Sequence, residues 1–185
     1  MRLDQESLLL TVPVATTLQE IEKFLKKYRL SLRFSPETSF RNPKNLTIKK
    51  ILSENIPNLY ALRYGDIEDI CLSVTMKTPF GKIHTKPVPR SATGPDLKKI
   101  FIGSHGKYGE IVETTLRVVS LPEKTKKLSL KFESKKKQEN FLRTLWAHGL
   151  RPLRFKKLKN ILMLELEGLS KVVDAECQVI NEAIK

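Results

Sequence analysis

Apolar residues recur with two different periods at the start of the chain, and each period predicts an element. Residues 8–14 have the composition and partial alternation of a β-strand. The next segment spaces its apolar residues by three and four, as the buried face of a helix does; these are Leu18, Ile21, Phe24, Leu25 and Tyr28. Thr17 followed by Glu20 is a capping-box pattern that predicts where this helix begins. With a second strand predicted over residues 30–34, the chain opens as β-α-β.

Between residues 35 and 122 the pattern predicts short elements separated by loops. The predicted elements are a helix over 47–52, a hairpin of strands 69–78 and 82–86 turning at Pro79-Phe80-Gly81, a helix over 95–102 and a strand over 111–119. Clusters of Pro, Asn and Gly predict loops over 35–45, 55–59 and 87–95.

Pro122 marks a change of pattern, and we predict two domains, 1–122 and 123–185. The second domain has a β-α-β-β-α order: a strand over 127–132, a helix over 135–148, a hairpin of 152–158 and 161–167, and a helix over 169–184. Trp146 shares a helical face with Leu142 and Leu145, so we expect it in the core rather than on the surface as a stacking platform.

Three glycines, Gly103, Gly106 and Gly109, lie between the helix predicted over 95–102 and the strand predicted over 111–119. Such a loop is typical either of a tight structural turn or of a backbone that approaches a ligand closely, and the pattern favours neither. The order helix, loop, strand is opposite to that of dinucleotide-binding and P-loop motifs, and neither of those motifs occurs in the sequence.

Composition narrows the classes of function. The net charge is +14, and residues 124–159 are dense in Lys and Arg, a pattern we interpret first as a solvated basic face and second as a polyanion site. The sequence has no run of about 18 apolar residues, so no membrane span is predicted. The N-terminus lacks signal-peptide features. Cys71 and Cys177 are expected to be buried free thiols, which favours a cytoplasmic protein. The three histidines predict no metal site, and no catalytic residues are identified.

Seven short segments between residues 11 and 123 form a recognisable set. They are Thr11-Val12-Pro13-Val14, Thr16-Thr17-Leu18, Arg63-Tyr64-Gly65-Asp66 with Asp69, Pro79-Phe80-Gly81-Lys82, Ser91-Ala92-Thr93-Gly94-Pro95-Asp96-Leu97, the block from Gly103 to Thr114, and Leu121-Pro122-Glu123. In order and spacing they resemble the second FAD-binding subdomain of the vanillyl-alcohol oxidase / p-cresol methylhydroxylase superfamily. The nearest relatives suggested are the FAD-binding subunits of glycolate oxidase and alkyl-dihydroxyacetone-phosphate synthase.

The resemblance implies an α+β fold, with a mixed or antiparallel sheet and flanking helices, followed by a small ferredoxin-like β-α-β-β-α module that resembles part of the family's cap domain. It implies FAD as the cofactor. The cofactor-binding residues it suggests are Thr47, Tyr64, Gly65, Gly103, Gly106, Gly109, Glu110 and Ile111.

Two departures from the family bear on cofactor binding. Family members carry an N-terminal subdomain whose glycine-rich loop wraps the FAD pyrophosphate, and we expect this chain to lack it. Where the family has Thr-Ile-Gly-Gly, this chain has Thr47-Ile48-Lys49-Lys50, whose lysines would obstruct close approach by the flavin or else meet phosphate. Without three or four charged hydrogen bonds to the pyrophosphate, FAD binding would weaken by roughly 5–10 kcal/mol.

Three functions remain open. The first is a reduced or split flavoprotein oxidoreductase subunit that binds FAD together with a partner subunit. The second is a degenerate, non-catalytic binding or scaffold relative. The third, ranked lowest, is a polyanion or nucleic-acid binder, because the aromatic residues of the basic region fall at core-like positions. A homo-oligomer is left open, and no membrane partner is expected.

Overall fold

The computed structural model describes residues 1–36, 45–87 and 96–184. It divides into two compact units, Met1–Ser120 and Leu121–Lys185. The loop predicted over 87–95 falls almost entirely outside the described residues, as do most of the loop predicted over 35–45 and Pro95 of the helix predicted over 95–102.

A five-stranded antiparallel sheet organises the first unit. Its strands are β1 (Arg2–Asp4), β2 (Leu9–Pro13), β4 (Cys71–Thr78), β5 (Gly81–His84) and β6 (Glu110–Arg117), in the order β1-β2-β6-β4-β5. Every pairing within it is antiparallel. β4 and β5 form the predicted hairpin, in which Thr78 pairs with Gly81 across a two-residue turn. The predicted antiparallel sheet is therefore confirmed.

Helices cover this sheet and close the core of the first unit. They are α1 (Leu18–Lys26), α2 (Ile48–Glu54), and the single-turn helices α3 (Ala61–Tyr64), α4 (Ile67–Ile70) and α5 (Lys98–Phe101). Ile21 and Leu25 of α1 and Ile51 of α2 are fully buried in one cluster with the sheet residues Leu10 and Val74. The predicted capping box is present, because Thr17 accepts from the Glu20 N–H and the Glu20 carboxylate accepts from the Thr17 N–H.

The predicted β-α-β opening is wrong in one respect. The second strand, β3, spans only Leu30–Ser31 and pairs with β7 (Val119–Ser120), outside the main sheet. Two local features end it early. The Leu32 N–H donates to the Glu22 carboxylate at 3.0 Å instead of to a strand, and Arg33 adopts a left-handed φ of 49°. The alternating apolar side chains beyond Ser31 are buried, but their backbone does not extend a sheet.

The second unit has the predicted β-α-β-β-α order. Its elements are β8 (Lys124–Lys131), α6 (Lys135–Ala147), β9 (Arg154–Leu158), β10 (Ile161–Gly168) and α7 (Ser170–Ile184). The strands form an antiparallel sheet in the order β8-β10-β9. Both helices contribute to a core that includes Leu145, Leu162 and Val173.

Trp146 does not lie in this core, so that prediction is wrong. The buried face of α6 consists of Gln138, Phe141, Leu142 and Leu145. Trp146 lies at the flank of that face, where it is 37% exposed and meets Phe155, itself 40% exposed, edge-on at a centroid distance of 5.7 Å. The reason is that β9 is an edge strand and leaves the flank of α6 open.

Candidate functional site

The glycine loop, residues 103–109, has the backbone that its composition predicted. Gly103, Gly106 and Gly109 have φ values of 76°, 80° and 144°, and His105 among them has a φ of 52°. A Cβ on Gly109 would lie 2.6 Å from the Lys77 carbonyl oxygen, and a Cβ on Gly103 would lie 3.3 Å from the Asn55 Cβ. The close approach at these two glycines is therefore to the protein's own strand β4 and to the residue that ends α2.

Backbone hydrogen bonds fasten the glycine loop to the C-terminal end of α2. The Gly103 N–H donates to the Leu52 carbonyl at 2.8 Å, and the His105 N–H donates to the Ser53 carbonyl at 3.2 Å. The Leu52 carbonyl also accepts from the Asn55 N–H at 3.4 Å, at the end of the helix. Backbone hydrogen bonds thus join two segments that are distant in sequence.

A cavity of about 390 Å³ lies between α2 and the glycine loop. Phe101 and Ile111 supply apolar surface to it, and both are buried. The full lining consists of Lys49, Ser53, Phe101, Ser104, His105, Gly106, Gly109, Glu110 and Ile111. An apolar surface with a few polar groups around it is typical of small-molecule sites.

The structure brings half of the predicted site residues together at this cavity. Gly106, Gly109, Glu110 and Ile111 line it. The other four, Thr47, Tyr64, Gly65 and Gly103, are not among its lining residues. Thr47 instead caps α2, where its hydroxyl accepts from the Lys50 N–H at 3.3 Å.

Tyr64 and Gly65 belong to a separate structural network centred on Asn58, which is 5% exposed. The Asn58 amide donates to the carbonyls of Arg33 and Gly65, at 3.2 and 2.8 Å, and its oxygen accepts from the N–H groups of Ser35 and Tyr60.

The Arg33 guanidinium lies over the rings of Tyr60 and Tyr64, at 5.2 and 5.6 Å from their centroids. Asp66 and Asp69 form a capping box at α4. This network joins three segments of the first unit.

Sequence reasoning missed four residues of the lining, namely Ser53, Phe101, Ser104 and His105. Phe101 precedes the glycine loop and His105 lies inside it, so proximity to the loop was a usable signal for both. Ser53 carried no such signal, because its contact with the loop follows from tertiary packing alone.

An ion pair crosses the mouth of the cavity. The Lys49 ammonium lies 2.5 Å from a Glu110 carboxylate oxygen, and the two side chains are 55% and 57% exposed. Lys77 pairs with Glu110 in the β4–β6 register. The hydrogen bond from Lys49 and its charge, together with the charge of Lys77, hold the pKa of the Glu110 carboxyl below its ordinary value. The carboxylate therefore stays ionised beside Lys49.

Other candidate chemistry is not supported in the described part of the chain. Both cysteines are buried and free, as predicted. Burial raises the pKa of the Cys71 thiol to about 11, which keeps it protonated and unreactive near neutral pH. Residues 1–36, 45–87 and 96–184 contain no group of His, Cys, Asp and Glu arranged to hold a metal ion. No helix in these ranges is long and apolar enough to cross a bilayer.

Curated proteins with similar sequences carry related names. Alkyldihydroxyacetonephosphate synthase of Caenorhabditis elegans is 25% identical over 159 residues, which are 85% of this chain and 26% of that protein. An uncharacterized FAD-linked oxidoreductase, YgcU, of Escherichia coli is 28% identical over 152 residues, 81% of this chain and 31% of that protein. Glycolate oxidase subunit GlcD of Bacillus subtilis is 26% identical over 175 residues, 93% and 36% of the two.

A solved structure of alkyldihydroxyacetonephosphate synthase matches the whole chain with a TM-score of 0.83 at 20% identity. The chain is related to the vanillyl-alcohol oxidase / p-cresol methylhydroxylase superfamily. Both relatives that the resemblance suggested are confirmed, and so is the superfamily's α+β fold. No protein-family model matches the chain.

The chain spans only part of its superfamily relatives. It covers about a third or less of the length of each curated relative and 39% of the solved structure. It is an FAD-linked-oxidase-like module in fold and sequence. The activities of the full-length relatives are proposals for this chain.

Proposed function

We propose that this chain forms part of a flavoprotein oxidoreductase, and that the cavity between α2 and the glycine loop is one wall of its flavin site. The lining of the cavity carries the proposal. The buried side chains of Phe101 and Ile111 give a flat ring an apolar surface, and Gly106 leaves the adjoining backbone without a side chain. The relationship to proteins named FAD-linked oxidoreductase supports a flavin as that ring.

The size of the cavity suits one ring system. Ligand pockets typically measure about 300–1,000 Å³, and this one, at about 390 Å³, lies at the lower end of that range. FAD, when bound, supplies two-electron oxidation chemistry. In this chain Phe101 and Ile111 would exclude water from one face of the ring, while Ser53, Ser104 and His105 would offer polar contacts at its edge.

The pyrophosphate end of FAD requires other residues. The sequence contains no strand–glycine loop–helix motif that would hold it. We therefore propose that a partner subunit, or another segment of a longer polypeptide, supplies those contacts. From the roughly 5–10 kcal/mol that such contacts contribute, we expect this chain alone to bind FAD only in the millimolar range.

Co-purification tests this function. The chain is co-expressed with the proteins encoded next to it, purified, and examined for the visible absorption band of flavin. We expect the band in a complex and not in the chain alone. Ser53→Phe, which fills the cavity from α2, should remove the band, while Ser129→Phe on the exposed face of β8 should leave it. Absence of flavin from every complex, together with no binding of added FAD, would contradict the proposal.

A second candidate function is a non-catalytic binding or scaffold relative. The observation that favours it is the ion pair of Lys49 and Glu110, which occupies the mouth of the cavity where a ring would enter. FAD-dependent turnover of any substrate by the chain with its partner would rule this candidate out. Retention of the partner without flavin would support it.

A further inference from the structure

We propose that Lys49 selects phosphate-bearing ligands at this cavity, by exchanging the Glu110 carboxylate for a ligand phosphate. The inference rests on the proposed function, because it takes the ligand to be a flavin. It adds a specificity determinant: the site should prefer a phosphorylated flavin to the same ring system without phosphate.

The backbone fixes where the Lys49 side chain begins. The Lys49 N–H donates to the Val14 carbonyl at 2.7 Å, which joins the first turn of α2 to the end of the main sheet. From that anchored position the ammonium reaches Glu110 across the cavity mouth at 2.5 Å. More than half of each side chain is exposed, so a ligand entering the cavity meets both groups directly.

The charges at the mouth favour an incoming anion. The Lys49 ammonium lies 2.5 Å from Glu110, and Lys77 is opposite Glu110 in the β4–β6 register. A phosphate monoester carries about −1.5 to −2 charge at neutral pH and three strong acceptor oxygens, which is more charge than the single carboxylate that it would replace beside Lys49.

The exchange is expected to be cheap. Exposed ion pairs are weak, because water screens both charges and two long side chains must be held in one geometry. Releasing Glu110 into solvent therefore costs little, while charge-assisted hydrogen bonds to phosphate are among the strong ones. The Lys49 ammonium should therefore bind a ligand phosphate in preference to the Glu110 carboxylate.

Lys50 provides a matched control on the same helix. Its ammonium lies 3.9 Å from the Glu54 carboxylate, one turn further along α2, and it is not among the residues that line the cavity. Removing Lys50 changes the charge of the protein by the same amount as removing Lys49. Any effect of overall charge on flavin phosphate is thus shared by the two variants, whereas a direct contact is lost only with Lys49.

The test compares riboflavin with flavin mononucleotide. The full chain is titrated into a trace of each fluorescent flavin, and anisotropy gives the two dissociation constants. We expect the wild type to bind flavin mononucleotide about tenfold more tightly than riboflavin, in line with one charged hydrogen bond. Lys49→Ala should bring the ratio close to one, Lys50→Ala should leave it near ten, and Glu110→Gln should raise it by freeing the Lys49 ammonium.

The outcomes separate the two proposals. Equal affinity of the wild type for both flavins, or a ratio that Lys49→Ala and Lys50→Ala reduce alike, would overturn the selection by Lys49 while leaving the flavin site intact. Failure of the chain to bind either flavin, even at millimolar protein, would overturn this inference. The proposed function would fail as well only if every complex of the chain also purified without flavin.

Discussion

Replacing Gly109 by alanine tests whether the glycine loop is shaped by the protein's own packing. At φ 144° an L residue is strained, at a cost of about 1–3 kcal/mol. The added Cβ would also lie 2.6 Å from the Lys77 carbonyl oxygen and 3.1 Å from a methyl group of Thr78. Overpacking of this kind costs about 1–3 kcal/mol more. We therefore expect Gly109→Ala to reduce the free energy of unfolding of the first unit by roughly 2–6 kcal/mol.

Gly81→Ala is the matched control. Gly81 has a φ of 125° and nothing within 4 Å of an added Cβ, so it measures the backbone strain without the collision. Urea unfolding followed by far-ultraviolet circular dichroism gives the stability of each variant. Trp146 is the only tryptophan and belongs to the second unit, so its fluorescence reports whether that unit is left unchanged.

The result that would refute this reasoning is a Gly109→Ala variant as stable as Gly81→Ala within a few tenths of a kcal/mol, the usual limit for a harmless surface change. In that case β4 would shift to accommodate the new methyl group, and packing against β4 would not determine the conformation of the glycine loop.

Three further predictions concern buried and charged groups. Asn58→Ala removes the buried amide that bonds to several partly buried backbone groups and should destabilise the first unit by about 3 kcal/mol in urea unfolding. Asn45→Ala, at an exposed position, should have almost no effect. The pKa of Glu110, measured by NMR, should lie below that of an ordinary glutamate and should rise in Lys49→Met. Because the pKa of Glu110 is lower in the folded state, its contribution to stability is present above the unfolded-state pKa and is lost as pH falls through the folded-state pKa. Cys71, whose thiol has a raised pKa of about 11, should resist thiol reagents at pH 8 until the chain unfolds. Its contribution to stability should be lost as pH rises above the pKa of the thiol in the unfolded chain and through 11. Rapid labelling of the native protein would contradict the burial of Cys71.

Local signals in the sequence predicted most of the elements, and tertiary packing decided the rest. The capping box of Thr17 and Glu20 and the hairpin turn at Pro79-Phe80-Gly81 are short-range patterns, and both are present in the structure. The strand predicted over 30–34 is longer than β3, because alternating apolar residues do not reveal that Arg33 has a left-handed backbone conformation. Trp146 was assigned to the core because its helical neighbours are buried, but a periodic pattern cannot show that β9 ends the sheet beside it.

The sequence predicted a tight turn or a ligand site at the glycine loop. Gly106, Gly109, Glu110 and Ile111 line the cavity there, and cofactor binding by these residues stays a prediction. Tyr64 and Gly65 carried the same family likeness but pack into the Asn58 network, so sequence likeness alone did not separate residues around a cavity from residues that hold the fold. Lys49 was expected either to obstruct the flavin or to meet phosphate. Its pairing with Glu110 could not be predicted, because Glu110 lies on β6, 61 residues further along the chain.

The strand order of the central sheet determines when the cavity can form during folding. β2 lies beside β6, so that Leu9 pairs with Arg117, and β6 carries Glu110 and Ile111 to the cavity. Contacts between residues so far apart in sequence require a long loop to close first, and chains dominated by such contacts fold slowly. A ribosome must therefore have released almost the whole first unit before β6 can enter the sheet. During synthesis α1 and α2 are available early, but the cavity exists only after the last strand of the sheet has been inserted.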